Sequence, residues 1–130
     1  MTFQRSLGYF YAMAKGTQSG TIDVLQGTLD LMVLTTLESM GPLHGYGIAR
    51  RIEQISEATL RLNEGTVYTS LMRLQQRGWI SATWGTSENN RRAKYYAITR
   101  SGRRQLTAET KNWERMAGVI TRLLRTVQQS

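Results

Sequence analysis

Apolar residues Leu25, Leu29, Met32, Leu34 and Leu37 recur at helix-like intervals, with Met40 near the end, and the pattern stops at Gly41-Pro42. This spacing predicts a buried helix with a firm C-terminal stop. A shorter helix is predicted from about Tyr46 to Ser56, with Ile48, Ile52 and Ile55 on one face and Arg50, Arg51, Glu53 and Gln54 on the others. In a third, Val67, Leu71 and Leu74 share a face, Asn63 is suited to the N-cap, and Gly78 to a left-handed residue just past the end. After Gly78 the pattern becomes strand-like. "WISATW" and "KYYAIT", separated by the polar "GTSENNRRA", predict a hairpin with a long basic loop. Helical spacing then returns, with Leu106, Thr110, Trp113, Ala117, Ile120, Leu124 and Val127 forming a heptad seam that Met116 and Leu123 widen.

A chain of 130 residues with 40% hydrophobic content fits one small domain with one extra arm. The expected division is an N-terminal extension or linker over residues 1–21, a compact domain over 22–100 and a C-terminal dimerisation helix over 101–130. Residues 1–12 are either an upstream choice of start site or a real extra helix, because the stretch beginning at Met13 also reads as a beginning. No apolar run approaches the roughly 20 residues needed to span a bilayer, and no signal-peptide pattern stands at the N-terminus. A soluble, cytoplasmic protein without membrane attachment is the expectation.

Charge changes the picture most. Seventeen Lys and Arg against nine Asp and Glu give a formal net charge of +8, which attracts nucleic acid or another anionic surface. The third helix sets Thr66, Thr69, Ser70, Arg73 and Arg77 opposite its apolar face, and no acid occurs between Glu64 and Glu88. Hydroxyls and guanidiniums without acids suit a polyanion. Between Glu88 and Glu109 stand Arg91, Arg92, Lys94, Arg100, Arg103 and Arg104, again without an acid and with Tyr95 and Tyr96 interleaved, as phosphate contacts require. Three helices followed by a hairpin is the layout of a winged helix-turn-helix, in which the third helix enters a major groove and the hairpin reaches along the backbone. The expected fold is therefore mainly α with a small β-hairpin wing and a long C-terminal helix.

The stretches "LQGTLDLMVLTTL", "LHGYGIARRI", "NEGTVYTSLMRLQQRGWI" and "NRRAKYYAITRSGRRQL", followed by a tryptophan-bearing last helix, resemble the PadR family of bacterial transcriptional regulators, in its short form with one C-terminal helix. The resemblance runs from about Asp23 to Leu124. It implies a homodimeric repressor that binds a palindromic double-stranded operator and leaves it when a small molecule or stress signal shifts the dimer. It maps the groove-reading residues onto Thr66, Tyr68, Thr69 and Arg73, and the wing contacts onto Arg91, Arg92 and Lys94, with Tyr46 and Asn63 completing the expected DNA-binding set. Many members carry proline after the tyrosine of EGT(V/L)Y, where this chain has Thr69, so its operator differs accordingly.

Several residues keep two readings. Tyr46 and Tyr68 suit either phosphate contacts or the edge of the core. Trp113 packs as a core aromatic across a dimer or, as in drug-responsive members of the family, lines a pore that stacks a flat aromatic effector, with Met116 and the small Ala117 beside it. Dimerisation is expected through Trp113, Met116, Ile120, Leu123 and Leu124. His44 reads as a turn or capping residue. With one His, no Cys and scattered glycines, neither a metal site, a cofactor nor an enzymatic activity is expected. The rival to a sequence-specific regulator is a small-molecule-binding or protein-interaction dimer whose nucleic-acid affinity is nonspecific.

Overall fold

The computed structural model describes residues 26–129. The expected N-terminal extension, the start of the folded domain near Ile22, and Leu25 lie outside the described residues. Six elements follow in order: α1 Gln26–Met40, α2 Gly45–Ile55, α3 Glu64–Gln76, β1 Ile80–Thr86, β2 Arg92–Ile98 and α4 Arg100–Gln129.

One apolar core joins the first five elements. Leu29, Val33, Leu34 and Leu37 of α1 meet Ile48, Ala49 and Ile52 of α2, Val67, Leu71 and Leu74 of α3, and Ile80, Tyr96 and Ile98 of the hairpin. Each fully buried Leu, Ile or Val contributes roughly 1.5–3 kcal/mol, so these side chains outweigh any surface pair in holding α3 in place. Leu106 of α4 packs against the same core. Ile55, expected on the buried face of α2, is 67% exposed. It closes the helix, and the backbone turns away through positive φ at Glu57 and Ala58, so its side chain has no facing element.

Local chemistry fixes the helix ends. His44 caps α2 by accepting a hydrogen bond at Nδ1 from the Gly47 amide, 3.0 Å. Asn63 caps α3, its Oδ1 accepting from the Thr66 amide at 2.7 Å and from the Thr66 hydroxyl at 2.9 Å. Past the end of α3, Gly78 has φ +75°; its amide donates to the Gln75 carbonyl and that of Trp79 donates to the Leu74 carbonyl, both at 3.0 Å. These two bonds are a Schellman motif, which needs a left-handed residue at its hinge. The chain thereby turns directly from α3 into β1.

The hairpin pairs Ile80 with Ile98 through Thr86 with Arg92. Its buried end is extended by Leu43, whose amide and carbonyl exchange hydrogen bonds with Tyr96 at 3.1 and 2.8 Å. That bridge ties the wing to the entrance of α2. At the other end of β2, the Thr99 hydroxyl donates to the Gly78 carbonyl at 2.8 Å and accepts from the Gly102 amide at 3.0 Å. Gly102 is buried, and a Cβ built on it would overlap the Trp79 carbonyl oxygen and lie 2.8 Å from Ile98 Cγ1. The first turn of α4 therefore rests directly on main chain.

Beyond Leu106, α4 adds no further side chain to the core among the described residues. Trp113, Met116, Val119, Ile120, Leu123, Leu124 and Val127 form an exposed apolar stripe along it. None of the helices among the described residues is long and apolar enough to cross a membrane.

Candidate nucleic-acid interface

The outer face of α3 carries Thr66, Tyr68, Thr69 and Met72, all exposed. The Thr66 hydroxyl donates to Asn63 and that of Thr69 to the Gly65 carbonyl, 2.9 Å each. With their protons so used, both hydroxyls present lone pairs and methyl groups outward. Such groups match the amino donors and thymine methyls of a major groove better than they match phosphate oxygens.

Two residues expected on this open face are placed elsewhere. Ser70 is fully buried and donates to Asp30 Oδ1 at 2.6 Å. Arg73 forks onto the same carboxylate, Nη2 to Oδ1 at 2.7 Å and Nε to Oδ2 at 3.3 Å. This is a bidentate, charge-assisted pair that fixes the guanidinium in one plane, and the Arg73 side chain retains only 22% exposure. Arg73, expected among the groove-reading residues, has its charge met by Asp30 in this chain, and the arrangement clamps α3 to α1.

The wing supplies further cations. Ser87 and Arg91 close its turn, the Ser87 amide donating to the Arg91 carbonyl at 2.7 Å, with Asn90 at φ +58°. Arg91 and Arg92 are exposed and Lys94 is half-buried. Trp84 on β1 stands 57% exposed, with Arg92 Cζ 4.5 Å and Lys94 Nζ 5.7 Å from its ring centroid.

Between the wing and the starts of α2 and α3 lies a cleft of about 1440 Å³. It brings together the expected Tyr46, Tyr68, Arg91, Arg92 and Lys94, and adds Arg50, Arg51 and Trp84, with Glu64 and Glu88 as the acids in its wall. Tyr46 and Tyr68 are about half exposed. Beneath them, burial pushes the Tyr96 phenol above its ordinary pKa, with a smaller push from Tyr68. Asn63, Thr66 and Thr69 are outside the cleft wall, on the cap and outer face of α3.

Residues 33–108 match the model of the PadR-like family of transcriptional regulators. The chain belongs to this family. Its fold is similar to that of a transcriptional regulator from Clostridium thermocellum, with 30% identity, a TM-score of 0.69, and coverage of 78% of this chain and 97% of that one. A PadR family regulator from Clostridium difficile gives 28% identity, a TM-score of 0.63, and coverage of 74% and 97%. A PadR-like regulator from Bacillus cereus gives 27% identity, a TM-score of 0.65, and coverage of 77% and 94%. The three helices, the hairpin and the long last helix are thus the winged helix-turn-helix of PadR regulators, which are DNA-binding proteins.

A second cavity, of about 600 Å³, lies between Gly27, Thr28 and Leu31 of α1 and Glu109, Asn112, Trp113, Arg115, Met116 and Val119 of α4. Trp113 and Met116 line it, while Ala117, half-buried, is not in its wall.

Sequence reasoning missed Asp30, Arg50, Arg51 and Trp84. For Asp30 a signal existed, since it is an acid set between Leu29 and Leu31 in an otherwise apolar run. For Trp84, the "WISATW" pattern sets it on the face of Ile80 and Ala82 but does not say that this face passes from the core into the cleft.

Proposed function

We propose that this PadR-like protein is a repressor that binds a palindromic operator as a homodimer, with the outer face of α3 in the major groove and the wing along the adjacent backbone. The observation that supports this most is the placement of the wing cations and the exposed α3 face on either side of one basic cleft. Thr66, Tyr68 and Thr69 read the groove, Asn63 holds the helix end facing it, and Tyr46, Arg91, Arg92 and Lys94 meet phosphates. Arg73 orients α3 through Asp30 instead of reading a base. Residues 22–100 act as the DNA-binding unit and 101–130 as the dimerisation arm.

The wing assignment is tested by salt. Arg92→Ala and Lys94→Ala are each expected to weaken binding to all duplexes about equally and to flatten the log–log salt dependence by about one unit. Titration of labelled duplex across ionic strength measures it, and an unchanged slope in both variants would remove the wing from the interface.

The stripe Trp113, Met116, Ile120, Leu123 and Leu124 is the dimer contact in this reading, since so continuous an apolar surface on a small protein calls for a partner. Because Ile120 and Leu124 are about half exposed in the single chain, Ile120→Glu with Leu124→Glu should leave the fold intact and give monomers by sedimentation. A double variant that stays dimeric at micromolar concentration would place the interface elsewhere. The cavity beside Trp113 and Met116 is the proposed effector site, where a flat aromatic compound would stack and change the spacing of the two α3 helices. Ala117, next to them on α4, leaves room near the dimer axis.

A further inference from the structure

Trp84 lies on the same face of β1 as Ile80 and Ala82 but beyond the edge of the core, where it lines the cleft and stays 57% exposed. A tryptophan left exposed past the edge of a core has a large apolar area in water unless something uses it. Here its partners are cations: Arg92 lies over the ring at 4.5 Å and Lys94 at 5.7 Å. Lys94 is its direct cross-strand partner, and Arg92 pairs with Thr86 two residues further along β1, so both side chains reach the indole from one face of the ribbon. Gly85, next to Trp84, is overlain by the Tyr95 ring on the other face, where a Cβ would come within 2.9 Å of it. Tyr95 in turn donates to the Thr86 carbonyl at 3.1 Å. The strand is thereby held with one aromatic on each side.

We propose that Trp84 is a DNA-contact and positioning residue of the wing. Its ring face holds the Arg92 guanidinium and Lys94 ammonium side by side at phosphate-facing positions, and its exposed edge packs against the deoxyribose between the phosphates they meet. A long flexible cation normally loses rotamer freedom on binding a phosphate. Stacked on an indole, it is already ordered, and the cation–π attraction leaves its N–H groups free to donate. The indole contributes without a charge of its own, so its effect is separable from counterion release.

This inference rests on the reading of the wing as part of the DNA interface, and the experiment separates the two. Binding of a labelled duplex is compared for wild type, Trp84→Ala, Trp84→Phe, Arg92→Ala and the Trp84→Ala/Arg92→Ala pair. Trp84→Ala should lose affinity about three- to tenfold, Trp84→Phe should recover most of it, and the Arg92→Ala loss should shrink in the Trp84→Ala background. If Arg92→Ala weakens binding equally in both backgrounds and Trp84→Ala binds like wild type, Trp84 has no role in contact or positioning. If neither Arg92→Ala nor Trp84→Ala changes binding, the wing reading itself fails, and the proposal with it. The tryptophan emission that wild type has in excess of Trp84→Phe should shift to the blue on adding duplex. An unshifted emission at saturation would overturn the contact even if Trp84→Ala failed to fold.

Discussion

Replacing Gly102 with alanine is expected to destabilise the protein by on the order of 3 kcal/mol, at the upper end of what overpacking costs. Alanine in a helix interior is ordinarily the better residue by about 1 kcal/mol, so the sign itself is diagnostic. The added Cβ would overlap the Trp79 carbonyl oxygen, which is main chain and already accepts the Thr99 amide at 3.0 Å. It would also press on Ile98, a buried residue of β2. Neither neighbour can swing aside as a flexible side chain can, so α4 must lift from the hairpin. Urea unfolding measures the effect; a variant as stable as wild type, or more so, would mean that α4 does not start against the α3–β1 turn as described.

The second large effect is expected at Asp30. Truncation to alanine leaves the Arg73 guanidinium and the Ser70 hydroxyl without their acceptor at a largely buried position, and breaking such a pair costs about 3–5 kcal/mol. Because Arg73 keeps 22% side-chain exposure and can turn toward water, the lower end, about 3 kcal/mol, is expected. A matched replacement tests the mechanism: Asp30→Leu with Arg73→Met should cost much less than the sum of the single changes, as hydrophobic replacement of a paired network does. The clamp also sets the angle of α3 on α1. Asp30→Ala should therefore weaken operator binding under conditions where it remains folded, whereas simple loss of surface charge would not. Additive single and double effects would show that Asp30 and Arg73 do not act as a unit.

Elements set by local chemistry were legible from the residues. Asn63 and Gly78 announce the ends of α3 because capping and a left-handed hinge are decided within a few positions. The stripe on α4 and the pairing of β1 with β2 follow from period alone. The Asp30–Arg73 clamp was not legible, since its two ends lie 43 residues apart, and an arginine on a polar face reads the same whether its partner is a phosphate or a buried carboxylate. Ser70 misled for a related reason: a hydroxyl counts as polar in a pattern, although one hydrogen bond to Asp30 lets it sit in the core. Trp84 escaped because alternation sets it on the face of Ile80 and Ala82 without showing that the core ends before it. Among the candidate contacts, Tyr46, Tyr68 and the wing bases converge on one cleft because the Leu43–Tyr96 bridge draws the hairpin against α2, a contact no spacing in the sequence records.

The most direct test of the central claim is to select bound sequences from a random duplex library with the full-length protein and to repeat the selection at higher salt. The account predicts enrichment of one inverted repeat, its half-sites about one helical turn, roughly 34–36 Å, apart or a multiple of that. Affinity for it should fall with salt at a log–log slope of about −0.9 per phosphate contact. Equal retention of all sequences, with no repeat enriched at either salt concentration, would contradict sequence-specific recognition by α3 and leave only a nonspecific basic protein.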